Sequence, residues 1–173
     1  MMAQAFELIK PRILPLLDED FVPAVLTNRA FRQLASKDGI PLVIGLERAG
    51  GQLSRYEMKV LPESHPQAQS NYHYVERLVK FLLWQRGGHR LYIGGAASIG
   101  EFIQKVYSTE GERQFDFHFM GEQVYEKMFS VVVCNPDEVP AACETGQRLG
   151  RHLDGCRIGF DLGASDRKVS AVV

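Results

Sequence analysis

The chain has 173 residues, 45% hydrophobic and 24% charged, which is enough to bury the core of one domain or one and a piece and excludes a disordered segment. Its formal net charge is -1, with Lys and Arg scattered throughout, so no basic face is provided and neither nucleic acid nor a membrane surface is an expected partner. Three cysteines, Cys134, Cys143 and Cys156, are odd in number and lack C-x-x-C spacing, which argues against a disulfide framework and a zinc site and fits reduced thiols in a cytoplasmic protein.

The opening MMAQAFELIKPRILPLL has no basic leader, and Pro11 and Pro15 break it; no segment approaches the roughly 18 uninterrupted apolar residues of a membrane span. The first forty residues read as short helices. Leu14, Leu17, Phe21 and Val25 recur at helical spacing and are expected in the core, and Ala30, Phe31, Leu34 and Ala35 line a further face before Gly39. Residues 41–47 and 52–61, on either side of Gly50-Gly51, predict a β-hairpin. Residues 72–86 place Val75, Leu78, Val79 and Leu82 on one helical face, and Gly87-Gly88 supplies the stop. A buried strand over 89–93 and a tight glycine loop follow. A helix then opens with the capping box Ser98-x-x-Glu101 and carries Ile99, Phe102, Ile103 and Val106 as its stripe. Strand, loop and helix in that order predict an α/β layer with crossover connections.

From Gly111 the period changes. Phe115, Phe117 and Phe119 alternate with Asp116 and His118 and predict a half-exposed strand, and 128–134 predicts an apolar one ended by Asn135-Pro136. Residues 137–155 have little periodicity and read as a linker. Residues 156–161 and 167–173 form two short strands around a turn at 162–166.

That final segment, R-I-G-F-D-L-G-A-S-D-R-K-V-S-A-V-V, is the most informative for chemistry. An acid ends a buried strand, a glycine allows a sharp turn, and a small hydroxyl residue follows. Such a turn presents backbone N–H groups to phosphate oxygens, and Asp161 is placed to hold Mg²⁺ through its water shell. A plain hairpin whose Asp and Gly suit a turn is the competing reading.

The segment resembles the first phosphate motif, strand, D-[IL]-G-x-[ST], strand, of the actin, sugar-kinase and heat-shock-chaperone ATPase superfamily. With S-N-Y-H-Y-V-E-R-L-V-K-F-L-L-W-Q-R-G-G upstream, it is most similar to bacterial proteins of the ROK class (repressors, open reading frames and kinases). The resemblance implies that Asp161 matches the Mg²⁺-associated acid, Gly163 the turn glycine and Ser165 the residue facing the β- and γ-phosphates, with Ala164 also against the nucleotide. Ala164-Ser165 stands where sugar kinases usually have Gly-Thr, and the extra methyl argues against tight ATP binding.

The fold class expected is α/β, a mixed sheet with crossover helices ending in the first β-hairpin of an actin-like (ribonuclease H-like) ATPase domain. Residues 1–150 would form an accessory α/β domain and residues 151–173 the start of the nucleotide domain. The resemblance implies the N-terminal portion of an ATP-dependent sugar kinase or related ATPase, with ATP and Mg²⁺ bound in the complete protein, a sugar as partner and no catalytic residue in this stretch. Family zinc, general base and adenosine motifs would lie beyond Val173. The alternative is a non-catalytic interaction or regulatory domain. An incomplete sheet edge would expose apolar surface and favour a homo-oligomer.

Three weaker features have mainly structural readings. Residues 94–100 offer a helix start for an anion, without the Lys-Ser/Thr ending of a P-loop. I-G-L-E-R-A-G-G over 44–51 echoes I-G-F-D-L-G-A-S by chance more readily than by duplication. His65, His73, His89, His118 and His152 never fall at ligand spacing, and Trp84 and the Phe115–Phe119 stripe read as packing.

Overall fold

In the computed structural model, which describes residues 11–13, 15–18, 21–146 and 154–173, the aliphatic segment Ile40–Glu47 forms β1 in the interior of a four-stranded mixed sheet. It pairs antiparallel with β2 (Leu53–Val60), from Ile40↔Val60 to Glu47↔Leu53. The connection uses Gly50 and Gly51 at φ 71° and 72°, a left-handed conformation that glycine adopts without steric cost. On its other side β1 pairs antiparallel with β3 (Arg90–Gly94), and β3 pairs parallel with β4 (Ser130–Cys134). A parallel pair needs a crossover, which α3 (Ala97–Val106) and the segment after it provide. The chain is therefore a mixed α/β fold with strand order β2-β1-β3-β4 and a separate two-stranded sheet, β5 (Arg157–Leu162) with β6 (Arg167–Val172).

The core lies on one face of the larger sheet. Leu42, Ile44 and Leu46 of β1 sit beside Ile93 and Leu91 of β3, and all five are buried. Against them pack Phe31 and Ala35 of α1 (Ala24–Asp38), Val75, Val79, Leu82 and Leu83 of α2 (Ser70–Arg86), and Ile99 and Ile103 of α3. Asn71 ties α2 to the end of β2: its Oδ1 accepts from the Leu61 N–H at 2.9 Å and its Nδ2 donates to the Leu61 carbonyl at 2.8 Å. The α2 helix ends as the sequence predicts, with Gly87 at φ 78° and its N–H on the Leu83 carbonyl.

The opposite face carries a strap. Gly45 and Gly94 lie on neighbouring strands and leave a notch that the buried Val139 fills: a Cβ on Gly94 would lie 2.5 Å from Val139 Cγ2 and 3.0 Å from the Asn135 carbonyl. Residues 135–145 then continue to the β2 edge, where Cys143 and Leu53 exchange two backbone hydrogen bonds of 2.9 Å. Glu144 receives Arg48 at 3.2 Å, Arg86 at 3.6 Å and the Ser54 hydroxyl. The expected linker over 137–155 is thus docked in its first part; 147–153 lie outside the described residues.

Three sequence expectations need correction. The Phe115–Phe119 stretch is not a strand: α4 (Gln114–His118) runs into a π-helical turn, Phe119–Val124. Phe115 and Phe119 are four apart, share a helical face and stack at 5.6 Å, while Phe117 meets Phe129 at 5.7 Å. Leu17, Phe21 and Val25 are not core residues, being 102%, 50% and 57% exposed, because the helix starts only after Pro23; Leu14 lies outside the described residues. The Ser98-x-x-Glu101 capping box does not form. α3 starts at Ala97, so Ser98 is already inside the helix, and its hydroxyl donates to Glu63 Oε1 at 2.7 Å. Among the described residues no helix is long and apolar enough to cross a membrane.

Burial lowers the pKa of His89, and Lys127 and Arg90 act in the same direction against the opposing pull of Glu47. Lys127 Nζ stands 3.4 Å from Nε2, an arrangement that suits a neutral imidazole accepting from the ammonium. A depressed histidine pKa means the unfolded chain takes the proton first, so stability falls as pH drops below about 6.5. Urea unfolding at pH 7.5 and 5.5 is expected to show a smaller acid loss for His89→Gln than for the parent. Equal losses would show that this histidine does not set the slope.

Candidate functional site

The 161–165 turn closes the small hairpin. Register runs from Arg157↔Val172 to Leu162↔Arg167, so the chain reverses over residues 163–166 and Asp161 stands directly opposite Lys168. Residues opposite one another share a face. One face therefore holds Ile158, Phe160, Leu162, Arg167, Val169 and Ala171, and the other Arg157, Gly159, Asp161, Lys168, Ser170 and Val172. Every residue of the hairpin is exposed, including Phe160 at 70% and Leu162 at 75%. The antiparallel hairpin, with Asp161 near its turn end and exposed apolar side chains, agrees with the sequence reading. The strand expected to be buried and to end at Asp161 is instead exposed throughout and runs on to Leu162, because no other element covers this two-stranded sheet among the described residues.

At the turn, Lys168 Nζ lies 3.9 Å from Asp161 Oδ2 and 3.4 Å from Asp166 Oδ2. Two carboxylates thus converge on one cationic group, with the lysine standing where a hard cation would gain from the same oxygens. Gly163 serves the turn differently from the sequence expectation. It has no left-handed φ; its bare Cα makes room for Asp166, whose Oδ1 would lie 2.7 Å from a Cβ there. Ala164 and Ser165 are exposed beside it, and the Ser165 hydroxyl makes no hydrogen bond among the described residues. Asp161 and Asp166 thus both lean on Lys168, and all three side chains are exposed. Of the four residues singled out in the sequence, Gly163, Ala164 and Ser165 lie in the turn and Asp161 lies in β5, one residue before its end. No group of three or more His, Cys, Asp or Glu suited to a metal occurs among the described residues.

The competing loops are occupied by structure. Gly94 and Gly95 are pinned between Val139, the Asn135 carbonyl and the Pro41 carbonyl, and the start of α3 already has the Glu63 carboxylate beside it through Ser98. Glu47, at the acid position of the 44–51 echo, accepts from Tyr92 Oη at 2.9 Å and pairs with Arg90 at 3.2 Å. His118 meets Glu122 at 3.0 Å, His65 Nδ1 accepts from the Gln67 N–H, and His152 lies outside the described residues. Trp84 stacks on Phe119 at 5.3 Å and its Nε1 donates to the buried Asp116 at 2.7 Å.

Sequence reasoning misses a second feature, a cavity of about 700 Å³ between α1 and α2 with Arg32, Arg77, His73, Tyr56 and Phe81 in its lining. Its only legible sign is that Arg77, Phe81 and Gln85 recur on the outward face of α2, mixing charge with an aromatic ring.

Comparison with protein-family models, with curated proteins and with solved structures gives no match in any of the three.

Proposed function

We propose that the 161–165 segment is the first phosphate-holding turn of an actin-like, ROK-type nucleotide-binding domain, in a protein that uses ATP and Mg²⁺ and has a sugar as its acceptor. The single observation that supports this most is the convergence of Asp161 and Asp166 on one cationic group beside the unpartnered Ser165 hydroxyl. In this reading Asp161 holds the magnesium shell, Ser165 donates to a phosphate oxygen, and the N–H groups of Gly163 and Ala164 complete the cradle. Bound magnesium would neutralise phosphate charge, as phosphoryl transfer requires. The apolar hairpin face supports the reading too, since two strands alone are marginal in water and the superfamily's sheet continues with more.

Because the turn is one wall of a cleft, these residues are expected to bind MgATP only weakly, in about the millimolar range, and to turn nothing over. Titrating MgATP into the protein and following backbone amides by NMR should move Gly163, Ala164 and Ser165. Asp161→Asn should remove the Mg²⁺ dependence. Shifts confined to residues 94–100, or phosphate release by the chain, would sink the proposal. A second reading, that residues 1–150 act as a binding or regulatory domain, is favoured by the arginine-lined cavity.

A further inference from the structure

We propose that the groove between α1 and α2 binds an organic anion with a flat apolar body, in chemical class an aryl carboxylate or an aryl phosphate ester. This inference is independent of the phosphate-turn reading. α1 between Ala24 and Arg32 and α2 between His73 and Arg86 border an open space of about 700 Å³, a volume typical of small-molecule sites, with Tyr56 of β2 also in the lining.

Charge selects the sign of the ligand. The lining includes Arg32, Arg77 and Arg86 and no Asp or Glu. Within the groove, Arg86 is partly neutralised by Glu144 at 3.6 Å, and outside it Arg48, Arg55, Arg90 and Arg113 each meet a carboxylate within 3.2 Å. Arg32 and Arg77 meet no carboxylate among the described residues. Cations lining one groove without counter-charge raise its positive potential, although the whole chain carries a net -1. An anion relieves that field, and a planar fork suits carboxylate or phosphate oxygens.

The walls select the body of the ligand. Phe81 lies one helical turn after Arg77 on the same face of α2 and is 59% exposed, with its ring on the groove wall. Tyr56 and Tyr74 add aromatic surface. A guanidinium and an aromatic face one turn apart hold an acid head and its attached ring together, which neither inorganic phosphate nor a neutral arene exploits fully.

The test uses the full chain and four probes: 2-naphthoate, 2-naphthyl phosphate, inorganic phosphate and 2-naphthol, followed by calorimetry and by amide and arginine side-chain NMR. At least one naphthyl anion should bind about tenfold or more tightly than phosphate or naphthol, with shifts at Arg32, Arg77 and Phe81. The better of the two names the head group. Arg77→Ala and Arg32→Ala should each weaken binding about tenfold, whereas Arg29→Ala, outside the groove, should not. Both arginines are exposed, so thermal melts of the variants should match the parent. Equal binding of naphthol, or affinity unchanged in the Arg32→Ala Arg77→Ala double variant, overturns the proposal. Shifts confined to residues 161–165 do so as well, while leaving the phosphate-turn reading intact.

Discussion

Arg113→Met is expected to destabilise the domain by about 3–5 kcal/mol, the largest effect of any single exposed-to-core contact in this fold. Arg113 Nε donates to Glu76 Oε1 at 2.5 Å, and the two side chains are only 20% and 10% exposed. Removing the guanidinium strands a carboxylate inside the protein, beside Tyr107, whose buried hydroxyl already has no partner. Burial raises the Tyr107 pKa, and the nearby Glu76 and Asp116 charges push it further the same way, so the phenol stays neutral and adds no second negative charge beside the stranded carboxylate. Replacing both members, Glu76→Leu with Arg113→Met, should recover most of the loss, because the unpaired charge goes with its partner. Urea unfolding of the two singles and the double decides it. A double variant as unstable as the singles would mean that packing, and not the stranded charge, sets the cost.

Gly94→Val is expected to expel the strap and cost about 1–3 kcal/mol. The new side chain would occupy the notch that holds Val139, and its Cβ would also press on backbone atoms of Asn135 and Pro136 at 3.0 Å, which cannot rotate away. Losing that seat releases the Leu53–Cys143 bridge and the Glu144 contacts with Arg48 and Arg86. Limited proteolysis should then cut within residues 135–145 under conditions that leave the parent whole. Val139→Ala keeps the notch open and should show a milder form of the same release. An unchanged cleavage pattern in Gly94→Val would show that the strap is held from its Glu144 end alone.

What the sequence made legible follows from how local each signal is. The α2 helix was readable because Val75, Val79 and Leu82 repeat along one face and Gly87 ends it, and the two hairpins because glycine-bearing turns separate apolar runs. Over only five residues, however, Phe115, Phe117 and Phe119 satisfy both a strand period and an i, i+4 helical pair. The deciding partner, Trp84, is distant in sequence. Asp116 confirms the point: it was assigned to a polar strand face, yet it is buried against Trp84 and Lys80. The 161–165 turn was legible for the same reason as the hairpins, since its groups are contiguous. The groove was not, because Arg32 and Phe81 come together only through the space that α1 and α2 leave between them.

The docked strap also sets a leash. Its last anchored residue is Thr145, whose carbonyl and hydroxyl both take the Gln52 side-chain amide at 3.5 Å. From there the covalent chain to Arg157 spans at most about 40 Å when fully extended. The hairpin therefore cannot lie beyond that reach from Thr145, and any affinity between its apolar face and the domain is felt as an intramolecular event, independent of protein concentration. Undocking residues 135–144 would move the last anchor back and lengthen that maximum reach to roughly twice the value. The Val139 notch therefore acts as a length setting for the tether.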